Sequence, residues 1–117
     1  MSTDALIALR DQLRSFARAR EWDRYHTPKN LAMALIVEAA ELAEHFQWLT
    51  PEQSSALPEE KAGKVREEVA DVLIYLVELA DVLDIDLAAA AREKIARNAE
   101  KYPVEKARGN ARKYDEL

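Results

Sequence analysis

Cysteine is absent from the 117 residues, which excludes a disulfide framework, a thiolate metal site and a cysteine nucleophile. Glycine occurs twice and proline four times, too rarely for the turns of an all-β sandwich or barrel. No run approaches the roughly 18 apolar residues that a spanning helix needs. The apolar positions near the N-terminus are broken by Asp4, Arg10 and Asp11, so this stretch does not read as a signal peptide. Basic residues number 17 against 22 acidic ones, and the net charge of −5 argues against a binder of nucleic-acid polymers, which needs a basic face. What is present is a chain 49% hydrophobic and 33% charged. That balance supports a packed core rather than disorder. The length fits a single domain spanning 1–117, expected in the cytoplasm and away from membranes.

Hydrophobic periodicity divides the chain into four helical segments. Leu6, Leu9, Leu13 and Phe16 recur at three and four residues, one face of a first helix starting after Thr3. Thr27-Pro28 is a cap followed by proline at the first helical position, which opens a second helix running to about Trp48. Leu49 to Leu57 reads as a polar loop. Pro58 opens a third helix with a stripe of Val65, Val69, Val72, Leu76, Ala80 and Leu83. Asp86 caps a fourth, from Leu87 to about Lys101, which stops before Pro103. The charged tail, 104–117, reads as extended and laid on a neighbouring subunit. The expected fold is all-α, a four-helix bundle.

The acidic residues are where the sequence becomes specific. In LAMALIVEAAELA (31–43) Glu38 and Glu41 are the only polar residues, on a helix apolar around its whole circumference. Such a helix is expected to be buried, and residues three apart on it point the same way. In VADVLIYLV (69–77) Asp71 is the only charge, with Glu68 one turn before it and Tyr75 one turn after. Two like charges at about 5 Å repel by roughly 3 kcal/mol at an effective dielectric of 20. If the pairs converge, arginine or lysine partners, protons or divalent cations must compensate. The apolar stretches supply no basic partner. A cluster of carboxylate oxygens suits Mg²⁺, with Mn²⁺ as a substitute, better than zinc.

Motifs for other chemistries are missing. Neither His26 nor His45 follows a glutamate by three residues, as a di-iron bundle requires. HExxH, a P-loop and a glycine-rich dinucleotide turn are also absent. Hard-metal chemistry points to a phosphate chain as substrate. Lys94, Asn98 and Lys101 fall on one stripe of the fourth helix, able to meet phosphate oxygens or merely to face solvent. Trp22, His26 and Trp48 lie near the ends of the first two helices, where aromatics serve as base-stacking platforms or as ordinary packing.

The ordered set Glu38-x-x-Glu41, 26 residues, then Glu68-x-x-Asp71 resembles the ExxE…ExxD signature of the MazG-type all-α nucleotide pyrophosphohydrolases. FARAREWDRYHTPKNL, VEAAELAEHFQW, EEVADVLIYLVELA and ARNAEKYPVEKARGNARKYDEL carry the likeness over nearly the whole chain, closest to the branch that acts on dCTP. The resemblance implies Mg²⁺-dependent cleavage of a nucleoside triphosphate, dCTP or a modified cytosine triphosphate, to monophosphate and pyrophosphate. It implies Glu38, Glu41, Glu68 and Asp71 as metal ligands, with Glu41, beside Glu38, as the carboxylate that activates water. Tyr75, Lys94, Asn98, Lys101 and Tyr102 match positions that contact phosphates or sugar. Trp22, His26, Asn30 and Trp48 match the rim that holds the base. It also implies a homodimer or homotetramer with sites completed by neighbouring subunits. Where relatives carry glycines around the first acidic pair, this chain has Val37, Ala39 and Ala40, a stiffer helix that leaves base choice open. The competing expectations are a related hydrolase of dUTP or damaged purine triphosphates, and a non-catalytic helical interaction module.

Overall fold

The computed structural model describes residues 4–117. Among them are four helices of fifteen residues or more, α1 (Ala5–Ala19), α2 (Pro28–Glu44), α4 (Glu59–Val82) and α5 (Leu87–Lys101). Two single-turn helices, α3 (Pro51–Ser54) and α6 (Val104–Ala107), accompany them, and the described residues contain no strand. The all-α expectation therefore holds. None of these helices is long and apolar enough to cross a membrane. The chain's contacts group into two compact units that part between Ile85 and Asp86.

In the first unit each helix begins and ends for a local reason. The Asp4 carboxylate accepts from the Leu6 N–H at 2.9 Å, capping α1. At the other end Glu21 takes a left-handed φ of 54°. Trp22 N–H then reaches the Ala17 carbonyl at 2.9 Å and Glu21 N–H reaches Arg18 at 3.1 Å, the paired bonds of a Schellman motif. The apolar contact that accompanies this motif is Trp22 edge-on to Phe16, ring centroids 5.7 Å apart. The end of α4 repeats the geometry, with Asp84 at φ 55° and Ile85 N–H bonded to Ala80 at 2.8 Å.

Thr27 Oγ1 accepts from Asn30 N–H at 3.2 Å, and Pro28 sits at the first position of α2, as expected. The helix ends earlier than expected, at Glu44 rather than about Trp48. Phe46 and Gln47 both donate to the Ala43 carbonyl at 3.0 Å, so the chain tightens into turns there. The expected polar loop also contains α3. Thr50 and Gln53 form a reciprocal capping box with bonds of 3.1 and 2.9 Å, and Pro51 occupies the first helical position.

The longest helix, α4, packs against both α2 and α1. Glu38 and Glu41, late in α2, meet Glu68 in the first half of α4. His26, just ahead of α2, meets Glu78 near the end of α4, so the two helices run antiparallel. Ala17, Leu31, Val77 and Ala80, each at most 4% exposed, form the core at the junction. A forked ion pair from Arg14 to both oxygens of Asp81, at 2.9 and 2.6 Å, ties α1 to α4.

The expectation that α2 is buried on every side is not met within the chain. Leu31 is buried, but Met33, Ile36 and Val37 are 58%, 60% and 53% exposed. A helix with one principal partner covers only the stripe that faces it, and for α2 that partner is α4. Val69, Leu73 and Leu76 of α4 are exposed in the same way.

In the second unit Asp86 accepts from Ala89 N–H at 3.0 Å, and α5 runs from Leu87 to Lys101 as the sequence predicts. The tail, expected to be extended, is so only in part. Pro103 precedes the single turn α6, and a short 3-10 turn covers Tyr114–Glu116. Gly109, at φ 80°, makes the left-handed turn between them that a side chain would disfavour.

Candidate metal centre

Glu38 and Glu41, one turn apart on α2, and Glu68 on α4 each place a carboxylate oxygen within 4.8 Å of the other two. Glu38 and Glu68 are half-buried. Glu68 Oε2 is fully enclosed without a hydrogen-bond partner. An enclosed carboxylate oxygen left alone costs about 1–3 kcal/mol or more, so it calls for a proton or a cation. Burial is the main cause that pushes the Glu38 carboxyl up to about 7; its contacts with Glu68 and Glu41 add to this, and the charges of Glu41 and Asp71 contribute further. No lysine or arginine among the described residues forms an ion pair with any of these acids. Three hard oxygen donors, one of them orphaned, fit a divalent cation of the Mg²⁺ or Mn²⁺ type.

Asp71 stands outside the three-oxygen group, although its charge reaches Glu38. Tyr75, one turn further along α4, is half-buried. Burial raises its phenol first, then the charges of Glu38, Glu78 and Asp71, so it remains an O–H donor. His26 Nδ1 lies 3.3 Å from Glu78 Oε2. Asn30 uses its amide to donate to the Tyr25 carbonyl at 2.9 Å, holding the connector onto the first turn of α2. Trp22 is positioned by the Schellman turn against Phe16, and Trp48, 86% exposed, stands in the turns after α2.

Lys94, Asn98, Lys101 and Tyr102 belong to the second unit. The first three lie along exposed positions of α5, and the Asn98 carbonyl accepts the Tyr102 N–H at 2.8 Å. Tyr114 from the tail packs edge-on to Tyr102, centroids 6.2 Å apart, and lies under the Lys101 ammonium at 4.9 Å. Neither Tyr114 nor Glu78 stands out among the sequence candidates. The signal for Glu78 is its spacing: Glu68, Asp71, Tyr75 and Glu78 follow one another at three, four and three residues, a single stripe of α4.

With this fold and this acidic cluster in place, comparison with known proteins defines the class. The MazG-like family model matches residues 33–117, and the chain belongs to that family. Over 105 residues it is 46% identical to human dCTP pyrophosphatase 1, and over 104 residues 43% identical to the mouse protein of that name. Each match takes in 87% of this chain but 61% of the relative, so the chain spans about three-fifths of the length of these relatives. A pyrophosphatase crystal structure from Archaeoglobus fulgidus superposes with a TM-score of 0.81 at 43% identity, covering 88% of this chain and 96% of that one.

Proposed function

We propose that the protein hydrolyses a nucleoside triphosphate, dCTP or a modified cytosine triphosphate, to the monophosphate and pyrophosphate with Mg²⁺, and so cleanses the nucleotide pool. The observation that carries this reading is the trio Glu38, Glu41 and Glu68 with its unpartnered buried oxygen. The likeness to two dCTP pyrophosphatases and to an archaeal pyrophosphatase supports it.

Glu38, Glu41 and Glu68 would hold the cation, with Asp71 adding negative charge beside them. When bound, a divalent cation neutralises phosphate oxygens and makes an adjacent water more acidic. Glu41 would accept the proton of the attacking water, and Glu38, whose carboxyl is pushed up to about 7, would have to be deprotonated to serve as a ligand. The Tyr75 hydroxyl, kept protonated, donates to a phosphate or sugar oxygen. Lys94, Asn98, Lys101 and Tyr102 offer cations, an amide and a hydroxyl of the kind phosphate oxygens take. Trp22, Trp48, His26 and Asn30 serve the base, the tryptophans by stacking. The exposed apolar faces of α2 and α4 support assembly into a homodimer or homotetramer.

A panel of triphosphates scored for pyrophosphate release in Mg²⁺ tests the reading. The expected result is a preference for cytosine deoxynucleotides, abolished by a chelator. A preference for dUTP or oxidised purine triphosphates would replace the substrate, and no release from any triphosphate would overturn the enzyme reading.

A further inference from the structure

Glu78 lies on the same stripe of α4 as the metal centre, ten residues beyond Glu68 and so about 15 Å further along the helix. The centre does not use it. Its side chain is 13% exposed, and its Oε2 stands 3.3 Å from Nδ1 of His26, itself 19% exposed. The other charges around the pair line one cleft of about 210 Å³ between α1, the connector and α4: Arg10, Arg14 and Arg18, with Asp23 and Asp81. Two of these arginines are engaged elsewhere, Arg14 in its fork to Asp81 and Arg10 with Asp11 at 3.0 Å. His26 is the basic group in ion-pair contact with Glu78.

The backbone at His26 is held as well. Its N–H donates to the Asp23 carbonyl at 3.1 Å, and Thr27 immediately after it caps α2. With the backbone set, the remaining freedom is the ring, and the ring's chemistry depends on which nitrogen carries hydrogen. A carboxylate against Nδ1 selects the Nδ1–H form and leaves Nε2 as the acceptor. Tyr75 lies between Asp71 and Glu78 on this stripe of α4, and the charges of Glu38, Glu78 and Asp71 all bear on its phenol.

We propose that Glu78 is a positioning residue: through Nδ1 it fixes the ring and tautomer of His26, and so sets the nucleotide end of the site remote from the metal centre. The inference rests on the reading that His26 contacts the nucleotide. Burial raises the Glu78 carboxyl and the His26 charge opposes that rise, in keeping with a carboxylate that needs this partner.

The test joins ring-nitrogen NMR of His26 to kinetics on the full chain. The wild-type ring is expected as the Nδ1–H tautomer, or doubly protonated at lower pH; a neutral ring carrying hydrogen on Nε2 would overturn the proposal whether or not any variant folds. Glu78→Ala is expected to release the tautomer and raise KM for dCTP about tenfold with kcat within about twofold, the scale of one charged contact. Glu78→Gln, whose amide oxygen offers Nδ1–H an uncharged acceptor at the same place, should restore most of that KM. In a His26→Ala background Glu78→Ala should change KM less than about twofold. A folded Glu78→Ala with lower Tm and unchanged KM would make the contact a mere latch and sink the proposal. If the wild-type chain turns over no triphosphate, the functional reading fails separately, and the tautomer result still decides the role of Glu78.

Discussion

A glutamate in a half-buried site without a basic partner is stable only in company with something positive. Glu68 meets that condition most starkly, since one of its oxygens is enclosed without a hydrogen-bond donor from the protein. Glu38 meets it by holding a proton up to about pH 7. Glu41 shares the cluster from the same helix, one turn beyond Glu38, and is the carboxylate proposed to take the proton from water. Glu41→Gln keeps the shape and loses the charge. It should leave the far-UV spectrum unchanged and cut pyrophosphate release from dCTP by about a thousandfold or more, as removal of a central catalytic group does. Substantial turnover by the folded variant would remove Glu41 from the essential set. Glu38 and Glu41 were legible in the sequence because charge inside an apolar helical stretch is costly and therefore informative. Glu68 followed from its place one turn before Asp71, the acid that the same reasoning singled out on α4. Whether a fourth carboxylate joins was not, because a residue one turn along α4 shares the stripe with Glu68 without reaching the same point in space.

Helices α1 and α4 are joined by a small apolar core and by the Arg14–Asp81 fork. The Arg14 guanidinium holds the Asp81 carboxyl below its usual 3.8, chiefly through the direct side-chain contact. A carboxyl depressed in the fold adds stability above its unfolded value and loses it as pH falls through the folded value. Asp81→Asn should therefore lower Tm at pH 7 by about 3 °C, after allowance for solvent screening of an exposed partner. The gap should close as melts are taken downward through pH 3.8; a gap that persists in strong acid would show that packing, not charge, carries the effect. The ends of these elements show what one sequence can and cannot reveal. Thr27-Pro28 and Asp86 announced their helices because capping is local chemistry. The α3 turn was equally announced by Thr50 and Gln53, yet a polar stretch between long helices reads as loop unless the spacing is checked. The early end of α2 and the α6 turn depend on backbone bonds that no side chain signals.

Among the described residues, α2 and α4 each leave an apolar face open. Met33, Ile36 and Val37 share one face of α2, and Val69, Leu73 and Leu76 one face of α4, all more than a third exposed. The reading of α2 as a helix buried all round described its composition correctly but not its surroundings within the chain, because apolar composition alone does not say what covers each face. Sedimentation should find the wild-type chain as a dimer or tetramer and Ile36→Glu shifted toward monomer; a wild-type monomer at micromolar concentration would contradict assembly through these faces.

The central claim remains that carboxylates set among apolar helix faces are there to hold a divalent ion. Titration of free Mn²⁺ by electron paramagnetic resonance, with Mg²⁺ as competitor, measures this without reference to turnover. The wild-type protein should bind Mn²⁺ displaceably, and folded Glu68→Gln should bind it about a hundredfold more weakly or worse. Equal affinity in the two proteins would contradict the account.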